Sequence, residues 1–222
     1  MVLAMARAGA RVAFTYLNSA EEAQNTLAEI HGLEGEGVAL HCDVRRSQSI
    51  ADAVEGVRKK LGHIDVLVNN AGLFESVPFT ELTEQQWDNA FATNVRGPFL
   101  VSQYCVPELK ARQGRIINIG SLGGEKPWAT HAHYCSSKAA LHMLTKVMAK
   151  ALAPEIAVNC VAPGMIEAGD EDAALLKRFA GNTPMKRNGT ADDVVSAVMF
   201  FATAPHFITG QVMTVDGGLG LK

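Results

Sequence analysis

Two hydrophobic rhythms alternate along this chain. Short apolar-rich runs occur at residues 11–16, 38–42, Val66–Asn69, Arg115–Ile119, 157–161 and Val212–Val215; near-continuous runs of this length read as strands buried on both faces. Between them, apolar positions recur every three or four residues over 20–33, Ser47–Leu61, 84–109, Ala132–Leu152 and 191–204, with a short helical candidate at 173–180. Strand and helix alternating in this way predict an α/β domain, a doubly wound parallel sheet with crossover helices on both faces. Helix starts are marked by polar signals: Ser19 with Glu22 and Thr83 with Gln86 form capping boxes, and Thr190 with Asp193 an acidic variant. No repeat, low-complexity stretch or Pro/Gly/Ser-rich linker divides the chain, so residues 1–222 are expected to form one domain. The one irregular segment, 163–189, carries Glu167, Asp170, Glu171 and Asp172 and then Lys177, Arg178, Lys186 and Arg187. Long connections of this kind are often binding loops or lids, and its charges equally suit a solvated face.

Composition narrows what such a domain does. The 222 residues are 48% hydrophobic, enough for a large single core. A net charge of -3 leaves no basic footprint for nucleic acid or an anionic membrane, which need clustered Lys and Arg. A small-molecule partner is expected instead. Cys42, Cys105, Cys135 and Cys160 are scattered without a Cys-x-x-Cys pair, so neither a zinc site nor a disulfide framework is indicated and no metal is expected. No apolar stretch approaches the ~20 residues that span a bilayer, and the opening residues lack the basic-then-apolar layout of a secretion signal. A cytoplasmic protein is expected.

The chemistry concentrates around Tyr134 and Lys138, four residues apart in a helical stretch, and Ser121, thirteen residues before the tyrosine at the end of an apolar run. The i,i+4 spacing places phenol and ammonium on one helix face. A fixed cation near a phenol favours the phenolate and brings a tyrosine pKa of about 10 toward the working range of an acid–base catalyst. A serine hydroxyl at the same place would hydrogen-bond a carbonyl or alcohol oxygen. A lone Tyr-x-x-x-Lys is more often a half-buried tyrosine beside a solvated lysine; the serine and the motifs below reverse those odds.

With these residues the chain resembles the short-chain dehydrogenase/reductases, of the 3-oxoacyl-(acyl-carrier-protein) reductase-like type. The resemblance runs from the first residues to Gly218. It rests on Asn69-Asn70-Ala71-Gly72 after a strand, Asn94-Val-Arg-Gly97, the Ser121/Tyr134/Lys138 set with its interval, Pro163-Gly164 followed by Ile166, and the C-terminal Thr209 to Gly218 strand and turn. It implies hydride transfer between a nicotinamide and a ketone or secondary alcohol. In that reading Tyr134 passes a proton to the developing alkoxide, Ser121 orients the oxygen, and Lys138 lowers the phenol pKa and binds the nicotinamide ribose. Asn94 links Lys138 to solvent. Asn70, Ala71 and Gly72 pass the adenosine half of the cofactor, Asp43 with Val44 meets the adenine, and Pro163, Gly164 and Ile166 lie by the nicotinamide. It also implies a homotetramer built on segments 84–109, Ala132–Leu152 and 194–215.

Cofactor choice turns on the end of the second family strand, where NAD-selective folds carry an acid for the ribose 2′-hydroxyl. Tyr16 stands there instead, with Asn18 and Ser19 as nearby donors. No carboxylate is placed to repel a 2′-phosphate, which favours NADP and leaves NAD possible, since the arginine frequent in NADP-using relatives is absent. One family feature is not found: the opening strand and glycine-rich turn that carry backbone N–H groups to the pyrophosphate. Met1 to Gly9 read as the end of the helix that should follow, with Gly9 as its C-cap, and residues 11–16 as the next strand. The expectation is a sheet without its central strand, belonging either to a chain that starts upstream or to a relative impaired in cofactor binding. A 3-oxoacyl thioester is the expected substrate. Two alternatives are a pteridine reductase-like enzyme, with Trp128, His131 and His133 stacking on a flat heterocycle, and a non-catalytic scaffold.

Overall fold

A computed structural model describes residues 1–167, 169 and 172–221. Asp170 and Glu171 of the charged segment therefore lie outside the described residues. The elements follow the alternation read from the sequence: α1 (Val2–Arg7), β1 (Val12–Tyr16), α2 (Ala20–Gly32), β2 (Gly37–His41), α3 (Ser47–Leu61), β3 (Val66–Asn69), α4 (Glu84–Phe91), α5 (Gly97–Ala111), β4 (Arg115–Ile119), α6 (Ala132–Leu152), β5 (Ala157–Pro163), α7 (Ala173–Asn182), α8 (Ala191–Thr203) and β6 (Val212–Val215). All strand pairs are parallel, and the architecture is a Rossmann-like α/β fold.

Hydrogen bonding divides the sheet. β3, β4, β5 and β6 pair in that order, while β1 and β2 form a separate pair, so β1 and β3 are each paired on one side only. β5, paired on both sides and covered on both faces, is buried over all but its last residue; β3, paired on one side, keeps three of its four residues partly exposed. Adjacent residues of a strand point to opposite faces, and Ile116 and Ile117 show the consequence. Ile116 joins Ile50, Leu109, Met148 and Val158 on the face covered by α3, α5 and α6. Ile117 joins Val161, Val198 and Phe201 under α8. Met5 of α1 packs against both this second cluster and the cluster of Val12 and Ile30, so α1 ties the two sheets together from one face. Gly9, just past α1, has φ +83°, the left-handed conformation that lets the chain leave a helix without a Cβ clash.

Two local expectations need correction. Thr83/Gln86 and Thr190/Asp193 form reciprocal capping boxes. Ser19 does not cap through its side chain: its ψ of 64° departs from the extended geometry of a capping residue, so the hydroxyl makes no cap bond. The single helix expected over 84–109 is interrupted by a π-helical turn, Ala92–Arg96, between α4 and α5. An extra residue in the turn rotates the side chains after it and sends Asn94, fully buried, toward the loop beyond β3.

Candidate active site

The site is built at the carboxyl ends of the strands, where open α/β sheets bind ligands. β4 ends at Ile119, and Ser121 follows in extended backbone before a short 3₁₀ turn, its Oγ accepting the Gly123 N–H at 3.0 Å. α6 starts beside it, placing Tyr134 in the first turn and Lys138 one turn later. The Ser121 hydroxyl hydrogen-bonds the Tyr134 phenol. The buried Lys138 Nζ donates to the Ile119 carbonyl at 2.8 Å and lies 5.7 Å from the Tyr134 ring centre.

Asn94 anchors the adjoining loop. Its Oδ1 accepts the Leu73 N–H at 2.8 Å, and its Nδ2 donates to the Leu73 carbonyl at 3.0 Å and to Ser137 Oγ at 2.9 Å. This clasp holds the Asn70-Ala71-Gly72 turn over α6: a Cβ on Gly72 would stand 3.6 Å from both Asn94 Oδ1 and Lys138 Nζ. Asn94, Gly72, Ser121, Tyr134 and Lys138 are thus gathered in one place. The polar atoms of the Asn94 side chain engage the loop backbone and Ser137.

The remaining cofactor candidates lie along the same rim. Tyr16 ends β1 and meets His41 edge-on at 5.9 Å, and Asn18 beyond it is exposed. Asp43 follows β2 and is held by Arg45, which donates to it from its backbone N–H, Nε and a terminal nitrogen at 2.8–2.9 Å. Arg45 keeps the Asp43 carboxyl at about 2, well below the usual range. Val44 packs on the start of α5, where a Cβ on Gly97 would approach it to 3.1 Å. Past Pro163, Gly164 lies flush on Asp216, leaving only 2.7 Å for an added Cβ, and Ile166 is pressed against Gly189.

Several contributors escaped the sequence reading. Asn69 donates to Asn118 Oδ1 at 2.8 Å and Asn118 to Thr145 Oγ1 at 2.9 Å, a buried polar ladder across β3, β4 and α6 just beneath the site. His142, one turn past Lys138, lies behind Ser121: its Nε2 accepts the Ser121 N–H at 3.4 Å, and the bare faces of Gly120 and Gly124 press on the ring. Burial, aided by Lys138 and Lys146, pushes His142 down to about 4, so it remains the neutral acceptor this contact requires. A histidine four residues after the lysine was the one available signal.

The electrostatics correct the expected phenol. Burial raises the Tyr134 pKa above its ordinary value, and the Ser121 hydrogen bond only partly opposes this. Lys138 contributes no resolved lowering; the same burial pushes the ammonium itself down to about 8. Desolvation opposes charge on both groups, so burial of the phenol raises its pKa while burial of the ammonium lowers its own.

Comparisons with known proteins give the family. Residues 1–220 match the family profile described as enoyl-(acyl carrier protein) reductase. A 3-oxoacyl-(acyl-carrier-protein) reductase of Staphylococcus epidermidis is 34% identical over 99% of this chain and 92% of its own length. The chain belongs to the short-chain dehydrogenase/reductase family. It is an oxidoreductase acting on CH–OH and C=O groups. Among solved structures, a gluconate 5-dehydrogenase from Burkholderia cenocepacia in complex with NADP and tartrate superposes with a TM-score of 0.92 at 31% identity, over 100% of this chain and 89% of that one. A 7α-hydroxysteroid dehydrogenase complexed with NADH and 7-oxo glycochenodeoxycholic acid gives 0.91 at 33% identity, over 96% and 86%. Among the described residues no helix is long and apolar enough to cross a membrane.

In this short-chain dehydrogenase/reductase the buried ammonium has a measurable signature. A lysine held at about 8 when folded and near 10.5 when unfolded binds fewer protons in the native state between those values, so stability rises with pH across that window. Below pH 8 the burial penalty is carried in full. Lys138→Met lacks this dependence. The melting-temperature difference between wild type and Lys138→Met should therefore move in favour of wild type from pH 7 to pH 9.5. A difference that is constant, or moves the other way, would show that Lys138 is not held below its ordinary pKa.

Proposed function

We propose that the chain reduces a ketone with NADPH, the ketone being of the 3-oxoacyl thioester kind. The observation that carries the reading is the Ser121–Tyr134 hydrogen bond beside the buried Lys138 at the strand ends. Reduced nicotinamide, when bound, supplies a hydride to the carbonyl carbon. Ser121 donates to the carbonyl oxygen and sets its direction toward the phenol. Tyr134, kept protonated by burial, gives its proton to that oxygen as it becomes an alcohol. Lys138 holds positive charge beside the phenolate left behind, and Asn94 keeps the Gly72 loop against it. The thioester assignment is supported by the activity named for the staphylococcal relative.

Residues along the rim suit a dinucleotide in part. The bare Gly72 surface beside Lys138 and the exposed Asn70–Ala71 turn fit the nicotinamide ribose and adenosine. NADP is favoured because Tyr16, not a carboxylate, closes β1 and because Arg45 and Arg46 lie near the end of β2. Steady-state consumption of NADPH and NADH with a 3-oxoacyl thioester tests both points. kcat/KM should favour NADPH in the parent and NADH in Tyr16→Asp, where a carboxylate would face the 2′-phosphate. A parent that prefers NADH refutes the cofactor assignment, and no turnover of any ketone refutes the reaction.

The proposed assembly is a homotetramer. Trp87 and Phe99 flank the π turn on an outer face shared with α6, and Met143 and Val147 continue the apolar surface along α6. An apolar face of this kind suits self-association about a two-fold axis. Light scattering should report a multiple of the chain mass; a single 23.7 kDa particle contradicts the assembly.

A further inference from the structure

Four rings from three segments, Phe74, Trp128, His131 and Tyr134, meet beside the site. Phe74, two residues past Gly72, touches the Tyr134 ring edge-on at 4.8 Å and lies against His131 at 4.8 Å with 22° between planes. Trp128 is nearly parallel to Tyr134, 13° apart at 6.0 Å. The two loops are fastened to each other. Val77 N–H donates to the Thr130 carbonyl at 2.7 Å, and Ser76 Oγ bonds Thr130 Oγ1 at 2.9 Å. His133 does not join this wall. It is 1% exposed and turned under the loop toward Glu75.

Phe74 is the unusual member. It makes three ring contacts yet stays 60% exposed, so one side of a phenyl ring tied down at both loops remains open next to the proton donor. A rigid exposed aromatic face costs little ordering on binding and rewards a partner that is flat, because ring pairs gain over burial of equal area. A flexible alkyl chain gains only the area, and a polyhydroxylated chain loses hydration of its hydroxyls against it.

From this geometry we infer that the preferred ketone carries a flat apolar ring directly beside its carbonyl, seated on Phe74 and Trp128. The inference rests on the reductase reading above and narrows its substrate.

The test compares two N-acetylcysteamine thioesters of equal carbon count, 3-oxo-3-phenylpropanoyl and 3-oxononanoyl, and a six-carbon polyhydroxylated keto acid, in NADPH consumption by the full chain. The phenyl compound should lead the alkyl one in kcat/KM by on the order of tenfold, the worth of one well-placed aromatic pair. Phe74→Leu, which keeps apolar bulk without the ring, should bring the two within about twofold while changing the alkyl compound by less than about threefold. Equal kcat/KM for the two thioesters in wild type, or a lead for the polyhydroxylated acid, overturns the inference and leaves the reductase reading standing. If no ketone is turned over, the reductase reading falls, and saturation-transfer NMR still decides the surface. Transfer to the phenyl thioester that is lost in Phe74→Leu supports the ring site; transfer unchanged by the substitution overturns it.

Discussion

Tyr134→Phe lowers turnover by at least the ~10²-fold typical of losing an acid–base group, with cofactor affinity nearly unchanged. The substitution removes one oxygen and leaves the ring, so the contacts of Tyr134 with Phe74 and Trp128 survive while the proton donor does not. Ser121 loses its phenolic partner but keeps the Gly123 N–H and remains in place. Because burial holds the phenol protonated, the reductive direction should be flat in pH through neutrality, and alcohol oxidation, which needs the phenolate, should rise as pH increases. Single-turnover kinetics with saturating NADPH separates this from a binding defect. A variant within a few-fold of wild type would remove Tyr134 from the mechanism.

How far the sequence carried this site depends on where each signal resides. Ser47–Leu61, Ala132–Leu152, Val66–Asn69, Arg115–Ile119 and Val212–Val215 were legible from the apolar pattern, which changes rhythm at their ends. Tyr134 and Lys138 were legible because helical spacing puts them on one face and Ser121 with the accompanying motifs singles that pair out. The π turn was not: the apolar period runs through Ala92–Arg96, and the turn that aims Asn94 is fixed by Leu73, distant in sequence. Phe74 gave no signal, being an isolated aromatic in a segment without period, and only the bonds between residues 76–77 and Thr130 put it against Tyr134. The phenol pKa was misjudged because a spacing rule counts the neighbouring charge but not the burial that weakens it. Ser19 fits a capping pattern whose backbone geometry the end of β1 does not supply.

The sheet's division leads to the largest expected effect on binding. β1 and β3 are each paired on one side only; in the 3-2-1-4-5-6 order of this fold one further parallel strand stands between them, across two strand spacings of roughly 9–10 Å. Met5 of α1 packs on the cluster that Val66 and Val68 also flank and on the cluster that contains Val12. An N-terminal extension that supplies a strand there, followed by a glycine-rich turn into α1, pairs both edges. Edge groups left buried without partners cost about 1–3 kcal/mol each, so pairing several of them should raise the melting temperature by on the order of 10 °C for a chain of this size. The turn also places backbone N–H groups and the start of α1 at the pyrophosphate, beside the rim formed by Tyr16, Asn70 and Gly72. Hydrogen bonds to a charged group contribute about 1.5–3 kcal/mol each, so two of them strengthen NADPH binding by at least ~100-fold. Calorimetric titration of NADPH into residues 1–222 and into the extended chain measures this directly. Tight binding by residues 1–222 alone, with no gain on extension, would mean that the rim residues hold the dinucleotide without help from the position between β1 and β3.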